Sequence, residues 1–231
     1  MLTLHHLFHS RSQRVLWLLE ELGVPYDVKS YERQPETMLA PPELRAVHAL
    51  GKSPVLVDGD TTVAETGAIV EYLVDRDGAG RLRPAAGTPQ FLRYRYWLHF
   101  AEGSAQPQLL LKFHINRLLG AAASPADEAA ARSMLANLTA GTDTNLRNNL
   151  DFMEAELQRG PWFAGDEFSA ADVIMSFPVE VSAERAGLDA SRPRLWNFLE
   201  RIHARPAYRR ARERGGPYRF ADRGPSCRAT F

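Results

Sequence analysis

The chain has 231 residues, enough for one large domain or two smaller ones, and 45% of them are hydrophobic, as in ordinary globular proteins. Its 28 basic and 28 acidic side chains cancel, so charge gives no reason to expect nucleic acid or an anionic membrane as a partner. The single cysteine, Cys227, excludes an intramolecular disulfide and a multi-cysteine metal site, and no signal peptide or membrane-spanning segment is predicted, so we expect a cytoplasmic protein.

The first part of the chain alternates strand and helix patterns. Residues 2–7 and 26–31 are typical of short strands, and they flank a helical pattern at 12–22 whose apolar side chains share one broad face. Gly23 and Pro25 follow as a helix stop. A strand, a helix and a strand in close succession predict a βαβ unit with parallel strands.

A hairpin and another helix complete this first part. Two short strand patterns surround the turn at 58–60, and residues 66–78 then have a helical pattern. The following stretch is rich in glycine, proline and alanine, which predicts a linker at 81–88. We therefore expect a small α/β domain at 1–80.

Beyond the linker only helical patterns occur. Apolar and aromatic residues recur at helical spacing over 90–113, where Pro107 is expected to kink or end the helix. Further helices are predicted after Ser124, up to Gly160, and around 170–185 and 192–203. These patterns predict an all-helical domain at 89–214, followed by an irregular tail at 215–231.

Pro54 stands directly before a predicted strand, a position where proline needs an explanation. A cis Ser53–Pro54 bond would turn the chain sharply and leave backbone groups near Ser53 free to pair with an extended peptide ligand. The simpler alternative is a trans proline at the start of a strand, and these residues leave both open.

Glu65 and Thr66 precede the helix that follows the hairpin. Thr66 is either its N-cap or a group that meets a ligand carboxylate at the helix N-terminus. A capping box would need an acid or amide at position 69, where the chain has Ile69. An acid beside a hydroxyl suits an amino-acid head group, which carries both charges.

The turn before the first helix carries two hydroxyls and two positive charges, on Ser10, Arg11, Ser12 and Arg14. The serines either cap the helix or hold an anion at its N-terminus. If the anion is a thiolate, this placement lowers the pKa of the thiol. A drop of about two units from 8.5 raises the thiolate fraction at neutral pH from roughly 3% to roughly 75%.

These three segments, in this order and ahead of a helical half, resemble the cytosolic glutathione transferase family, in particular bacterial members with a serine-type or theta-like active-site turn. The resemblance runs from about Leu2 to Arg214 and includes "GKSP" at 51–54, "ET" at 65–66 and "FAGDEFSAAD" at 163–172. It implies a thioredoxin-like N-terminal domain. In the last motif Ser169 would cap a helix with Asp172 as its partner, and Phe168 would pack on Val173.

The resemblance also implies a glutathione site. Ser10, four residues before Arg14, would stabilise the thiolate, with Ser12 as the alternative. The other implied glutathione contacts are the cysteinyl part at Ser53 and cis-Pro54, the γ-glutamyl end at Glu65 and Thr66, and the glycine carboxylate at Lys52 with Arg11 or His48.

A second substrate is expected between the two domains. An aromatic stripe at helical spacing is more often core than pocket wall, but the first helix of the second domain offers candidates for a hydrophobic electrophile pocket. They are Tyr94, Trp97, Phe100, Glu102, Gln106 and Phe113.

The activity that the resemblance implies is transfer of glutathione to an electrophilic small molecule, in detoxification. Two alternatives stay open: a glutathione-dependent peroxidase or disulfide reductase, and a non-catalytic glutathione-binding or assembly module. The active-site turn has neither cysteine nor tyrosine, and Cys227 lies in the tail, so the nucleophile for mixed-disulfide chemistry is missing. The resemblance implies glutathione as co-substrate and a homodimer, and the histidine spacing implies no metal.

Overall fold

The computed structural model describes residues 1–222, and its N-terminal half is built on a four-stranded sheet. The strands are β1 (Leu2–Leu7), β2 (Tyr26–Tyr31), β3 (Val55–Asp58) and β4 (Thr61–Ala64), in the order β2–β1–β3–β4. Strand β1 runs parallel to β2 and antiparallel to β3, which pairs antiparallel with β4. The predicted βαβ unit is confirmed, since α1 (Ser12–Leu22) connects the parallel strands β1 and β2.

Two further helices complete the thioredoxin-like half. The short α2 (Leu44–Val47) precedes the loop to β3, and α3 (Thr66–Asp77) follows β4 directly. The Ser53–Pro54 peptide bond in that loop is cis, as the family resemblance implied.

The second half is helical throughout its described residues. The long α6 joins two patterns that the sequence suggested separately. The elements are α4 (Pro89–Phe100), a π-helical turn (Ala101–Ala105), α5 (Gln106–Gly120), α6 (Pro125–Glu156), α7 (Ala170–Arg185), α8 (Pro193–Ala204), α9 (Pro206–Gly215) and a 3-10 helix (Arg219–Asp222).

Pro107 neither ends the predicted helix at 90–113 nor leaves it regular. Proline has no N–H to donate to the preceding turn, and its ring crowds the carbonyl four residues earlier. The chain accommodates it with the π-helical turn Ala101–Ala105 and then continues as α5. Such a turn inserts an extra residue into the helix, which re-aims the side chains around it.

The chain after α8 departs from the predicted pattern. Helix α9 is rich in arginine, yet it buries Tyr208 and Ala211 where it packs on α1. In the segment predicted as an irregular tail, Tyr218 and Phe220 are buried together with Phe177. The rest of that tail, including Cys227, lies outside the described residues.

The two halves share one hydrophobic core, and aromatic rings join them. Trp17 of α1 lies 5.2 Å from the ring of Tyr208 and 5.6 Å from that of Phe168, both of which belong to the helical half. The N-terminal helix is thereby held against α9 and the start of α7. This position brings the turn before α1 to the junction of the two halves.

Helix α7 crosses the core and begins at a capping box formed by Ser169 and Asp172. The Asp172 carboxylate accepts backbone N–H groups from Ser169 and Phe163, each at 2.8 Å. Complete burial raises the pKa of Asp172 to about 7, although these hydrogen bonds oppose the shift. The box therefore places a titratable carboxyl group inside the core.

Candidate active site

A groove lies where the loop before β3 meets the N-terminus of α3. It brings together, from three separate segments of the chain, seven of the residues that the family resemblance implied for the glutathione site, whereas Ser10 and Ser12 are not among the residues that line it. The groove is lined by Arg11, His48, Leu50, Lys52, Ser53, Pro54, Ala64, Glu65 and Thr66.

The helix end in this groove has no side-chain cap. Glu65 occupies the N-cap position with a φ of 69°, uncommon for a residue with a side chain, and makes no capping hydrogen bond. The capping role considered for Thr66 is wrong, because Thr66 is the first helical residue and its Oγ1 lies 3.4 Å from Nη2 of Arg14. The positive end of α3 is thus available to an anionic group.

Ser10 and Ser12 belong to a hydrogen-bonded chain of side chains behind the groove. Oγ of Ser10 lies 2.9 Å from Oγ of Ser12, which lies 2.7 Å from Nδ1 of His6. Nε2 of His6 is 3.0 Å from the carbonyl oxygen of Gly215, at the end of α9. Ser12 is the first residue of α1 and does not cap it, so its expected capping role is wrong.

The Gly215 carbonyl fixes the direction of every hydrogen in this chain. A carbonyl oxygen only accepts, so the proton of a neutral His6 is on Nε2, and Nδ1 accepts from the Ser12 hydroxyl. The Leu7 carbonyl oxygen is a second, more distant acceptor for the Ser12 hydroxyl, at 3.2 Å, but with either acceptor Ser12 has used its one hydrogen and accepts from the Ser10 hydroxyl. The Ser10 hydrogen therefore points inward, away from the groove.

Burial keeps His6 neutral at physiological pH. It lowers the pKa of His6 to about 4, against a smaller opposite effect of the Gly215 hydrogen bond. Of the two serines, Ser12 is completely buried and Ser10 is 5% exposed. Only Ser10 has any surface from which to reach a ligand.

Arg14 and Glu102 form an ion pair between the two halves. The Arg14 side chain is 1% exposed, its Nη2 lies 2.6 Å from Glu102, and its Nη1 donates to the carbonyl of Ile174 at 2.7 Å. Arg11, which lines the groove, also donates to Glu102, at 2.9 Å. Burial alone would raise the pKa of Glu102, but the two arginines hold it below its ordinary value.

The structure changes the interpretation of the predicted electrophile pocket. Tyr94, Trp97 and Phe100 belong to the hydrophobic core, because their helix packs against α7, so they do not form a pocket wall. Gln106 is also buried, and Phe113 is half-buried beneath the guanidinium of Arg185. Of the six predicted pocket residues, Glu102 is linked to the groove, because it accepts a hydrogen bond from Arg11, which lines the groove.

Sequence reasoning missed His6 and the role of Arg14 at the interface. His6 occupies a strand position at which neither spacing nor charge indicates a role, and its partner Gly215 is 209 residues away. A signal for Arg14 was present, since a positive residue interrupts the buried face formed by Val15 and Leu18. Within residues 1–222, no group of three or more metal-binding side chains is arranged to hold an ion.

Fold and groove define a protein with a thioredoxin-like domain and a helical domain, in which the N-termini of α1 and α3 both lack a side-chain cap. Residues 10–76 match the glutathione S-transferase N-terminal domain and residues 136–201 match the glutathione S-transferase C-terminal domain. No helix among the described residues has both the length and the apolar character needed to cross a membrane.

Comparison with known proteins covers almost the whole chain. Glutathione S-transferase 3 of Schizosaccharomyces pombe is 34% identical over 93% of this chain and 88% of its own, and glutathione S-transferase 1 of Saccharomyces cerevisiae is 28% identical over 93% and 95%. A crystal structure of a glutathione S-transferase from Actinobacillus pleuropneumoniae superimposes with a TM-score of 0.80 at 30% identity, over 97% of both chains. The chain belongs to the glutathione S-transferase family.

Proposed function

We propose that the protein binds glutathione in the groove, ionises its thiol and adds the thiolate to an electrophilic small molecule. The observation that carries this proposal is the groove itself, which gathers the seven residues expected to contact glutathione. The family resemblance extends the proposal to a cytoplasmic homodimer, active in detoxification, with domains at 1–80 and 89–214.

The charges of the groove match those of the tripeptide. Glutathione carries one ammonium group and one carboxylate at its γ-glutamyl end, and a second carboxylate on its glycine. We assign the ammonium to Glu65 and the adjacent carboxylate to Thr66 and the uncapped end of α3. Lys52, with Arg11 or His48, takes the glycine carboxylate, while backbone groups of Ser53 pair with the cysteinyl residue beside cis-Pro54.

Ser10 is the residue to which we assign the thiolate. In the structure its hydroxyl donates inward to Ser12, and its oxygen, which accepts one hydrogen bond from the backbone N–H of Ser12 at 3.2 Å, has a second lone pair to accept from a neutral thiol. When the S–H bond ionises and the proton leaves to solvent, the Ser10 hydroxyl rotates and donates to the sulfur. The helix N-terminus adds its partial positive charge in the same place.

An ultraviolet difference titration tests this function. Glutathione is added at neutral pH while the thiolate band is recorded, and S-methylglutathione serves as a ligand with no thiol to ionise. A saturable thiolate signal supports binding and activation. Binding of both ligands without that signal would leave a glutathione-binding module, and binding of neither would refute the proposal.

A further inference from the structure

Arginines from four separate segments lie near the turn that carries Ser10, within range for their charges to act on one another and on His9. Arg11 lies in the turn itself and Arg33 follows β2, whereas Arg185 ends α7 and Arg219 lies in the 3-10 helix. The backbone N–H of Arg219 donates to Nδ1 of His9 at 3.2 Å, so the C-terminal segment contacts the residue directly before Ser10. We refer to Arg11, Arg33, Arg185 and Arg219 as the arginine cluster.

Carboxylates only partly balance this cluster within residues 1–222. Oε1 of Glu184 accepts from Arg219 at 3.0 Å, and Nε of Arg185 lies 3.6 Å from the same oxygen. That distance is too long for a hydrogen bond, and Nε of Arg185 has no other hydrogen-bond partner in the described part of the chain. One carboxylate oxygen therefore faces two guanidinium groups.

The other two members of the cluster leave a similar surplus of positive charge. Arg11 shares Glu102 with Arg14, so two guanidinium groups again meet one carboxylate. Arg33 donates to the carbonyl oxygen of Met38 at 2.9 Å, a neutral partner.

The arginines lie close enough together for their charges to interact. Burial, followed by the charges of Arg219 and Arg11, lowers the pKa of Arg33. Burial lowers the pKa of Arg185 to about 10, with Arg219 and Arg33 adding to the effect and Glu184 opposing it. Burial and the charges of Arg219 and Arg33 likewise lower the pKa of His9. An anion bound here would relieve these repulsions.

Two aromatic rings hold the guanidinium groups in place. Arg185 lies 4.6 Å from the ring centre of Phe113 and 5.5 Å from that of Phe220, and Arg219 lies 5.0 Å from Phe220. The rings supply apolar contact area beside fixed donors, and planar guanidinium groups bind carboxylates in a defined geometry.

We propose that Arg33, Arg185 and Arg219 of the arginine cluster bind the anionic group of the second substrate, while Arg11 stays with Glu102 and the glutathione groove, and that the preferred electrophiles are aromatic molecules with a carboxylate. This inference rests on the proposed function, because a molecule bound beside the Ser10 turn is positioned to meet the glutathione sulfur. Of the hydrophobic pocket expected from the sequence this site keeps Phe113. Its character is different, because charge selects the substrate and the rings contact the body of the substrate.

A matched pair of substrates tests the charge preference. 4-Chloro-3-nitrobenzoate and 4-chloro-3-nitrobenzamide react with glutathione by the same substitution: the C–S bond forms, chloride leaves with the electrons of the C–Cl bond, and the thiol proton goes to solvent. The measured quantity is kcat/KM divided by the uncatalysed rate constant for the same compound. We expect this enhancement to be at least about tenfold larger for the carboxylate, since charge-assisted bonds to arginine discriminate by about this much.

Two variants test whether the arginine cluster causes the preference for the carboxylate over the amide. Arg219→Gln and Arg33→Gln should each reduce it several-fold, and Arg33 carries the test if the Arg219 variant does not fold. Arg132→Gln is the control of equal charge, because Arg132 pairs with Glu128 on the exposed side of α6. Equal enhancement for both compounds in the wild type overturns the inference, as does a preference that survives both cluster variants or falls equally in the control.

A binding measurement separates failure of this inference from failure of the proposed function. Calorimetry with the unreactive 4-methyl-3-nitrobenzoate and its amide, on protein saturated with S-methylglutathione, reports the charge preference without catalysis. A thiolate signal with no preference between the two compounds overturns the arginine site alone. A missing thiolate signal overturns the catalytic proposal, and preferential binding of the benzoate would still support the arginine site.

Discussion

Replacing Ser10 or Ser12 by alanine should shift the pKa of bound glutathione in opposite directions. Ser10→Ala removes the hydroxyl assigned to the thiolate. A hydrogen bond to a charged group contributes about 1.5–3 kcal/mol, and the neutral bond from Ser10 to Ser12 that must break first contributes about 0.5–1.5 kcal/mol. The difference between the middle values of these two ranges is about 1.2 kcal/mol, so the pKa of the bound thiol should rise by about one unit.

Ser12→Ala leaves Ser10 in place and removes the acceptor to which its hydrogen now points. Ser10 then donates to the sulfur without giving up a bond, and the pKa of the bound thiol should fall by about half a unit to one unit. The same change leaves Nδ1 of His6 without its hydrogen-bond donor, which should lower the free energy of unfolding by about 1–3 kcal/mol. The backbone N–H of Leu7 keeps its second acceptor, Oγ of Ser53 at 3.1 Å.

The assay is the thiolate absorbance of the glutathione complex recorded as a function of pH, with unfolding in urea measured on the same preparations. The S-methylglutathione affinity of each variant controls for loss of the groove. If Ser12→Ala raised the pKa of the thiol as much as Ser10→Ala does, the hydrogen directions deduced from the Gly215 carbonyl would be wrong. An unchanged pKa in Ser10→Ala would remove Ser10 from the mechanism.

Three other changes test the groove, the interface and the capping box. Glu65→Gln should weaken glutathione binding by about tenfold or more at unchanged stability, because it removes the negative charge assigned to the ammonium group. Calorimetry measures the affinity, with the Glu36→Gln variant as control. Equal glutathione affinity of Glu65→Gln and the wild type would contradict the assignment. Glu102→Gln should lower the free energy of unfolding by about 3 kcal/mol, since it leaves the buried Arg14 charge without its carboxylate, whereas Glu128→Gln in an exposed pair should cost about 0.5 kcal/mol or less. Asp172→Asn should flatten the dependence of stability on pH. Because the pKa of Asp172 is raised in the folded protein, its protonated form stabilises the fold below about pH 4. This contribution to the free energy of unfolding is lost as the pH rises towards about 7. The stability difference between wild type and Asp172→Asn, measured by urea unfolding, should therefore shrink over this range, and a difference that grew with pH would refute the burial argument.

Short-range chemistry explains which elements could be predicted from the sequence. The bounds of β1 and α1 follow from apolar periodicity and from a glycine–proline stop, which act within a few residues. The capping box at Ser169 and Asp172 is also local, because its two partners are three residues apart. The arginine-rich α9 was missed, since its small buried face depends on where α1 lies.

The groove could be predicted through the family resemblance, which rests on three short motifs and their order along the chain, whereas each motif by itself left its role open. Only the tertiary structure decided which other residues these segments contact. The direction of the Ser10 hydrogen depends on a carbonyl oxygen at Gly215, and the arginine cluster combines side chains from both ends of the chain. Periodicity shows that the face with Tyr94 and Trp97 is apolar, but it does not say whether another helix or a ligand covers that face.

The sequence by itself thus determined the family, the βαβ beginning, the helical second half and the residues around the groove, because these depend on local patterns and on motif order. Only the tertiary structure decided that Ser12 binds His6 instead of capping its helix, that Glu102 pairs with Arg11 and Arg14, and that arginines surround the turn of Ser10. The direction of the hydrogen bonds and the excess of positive charge around the turn of Ser10 depend on groups that are distant in sequence. Those groups meet only when the chain has folded.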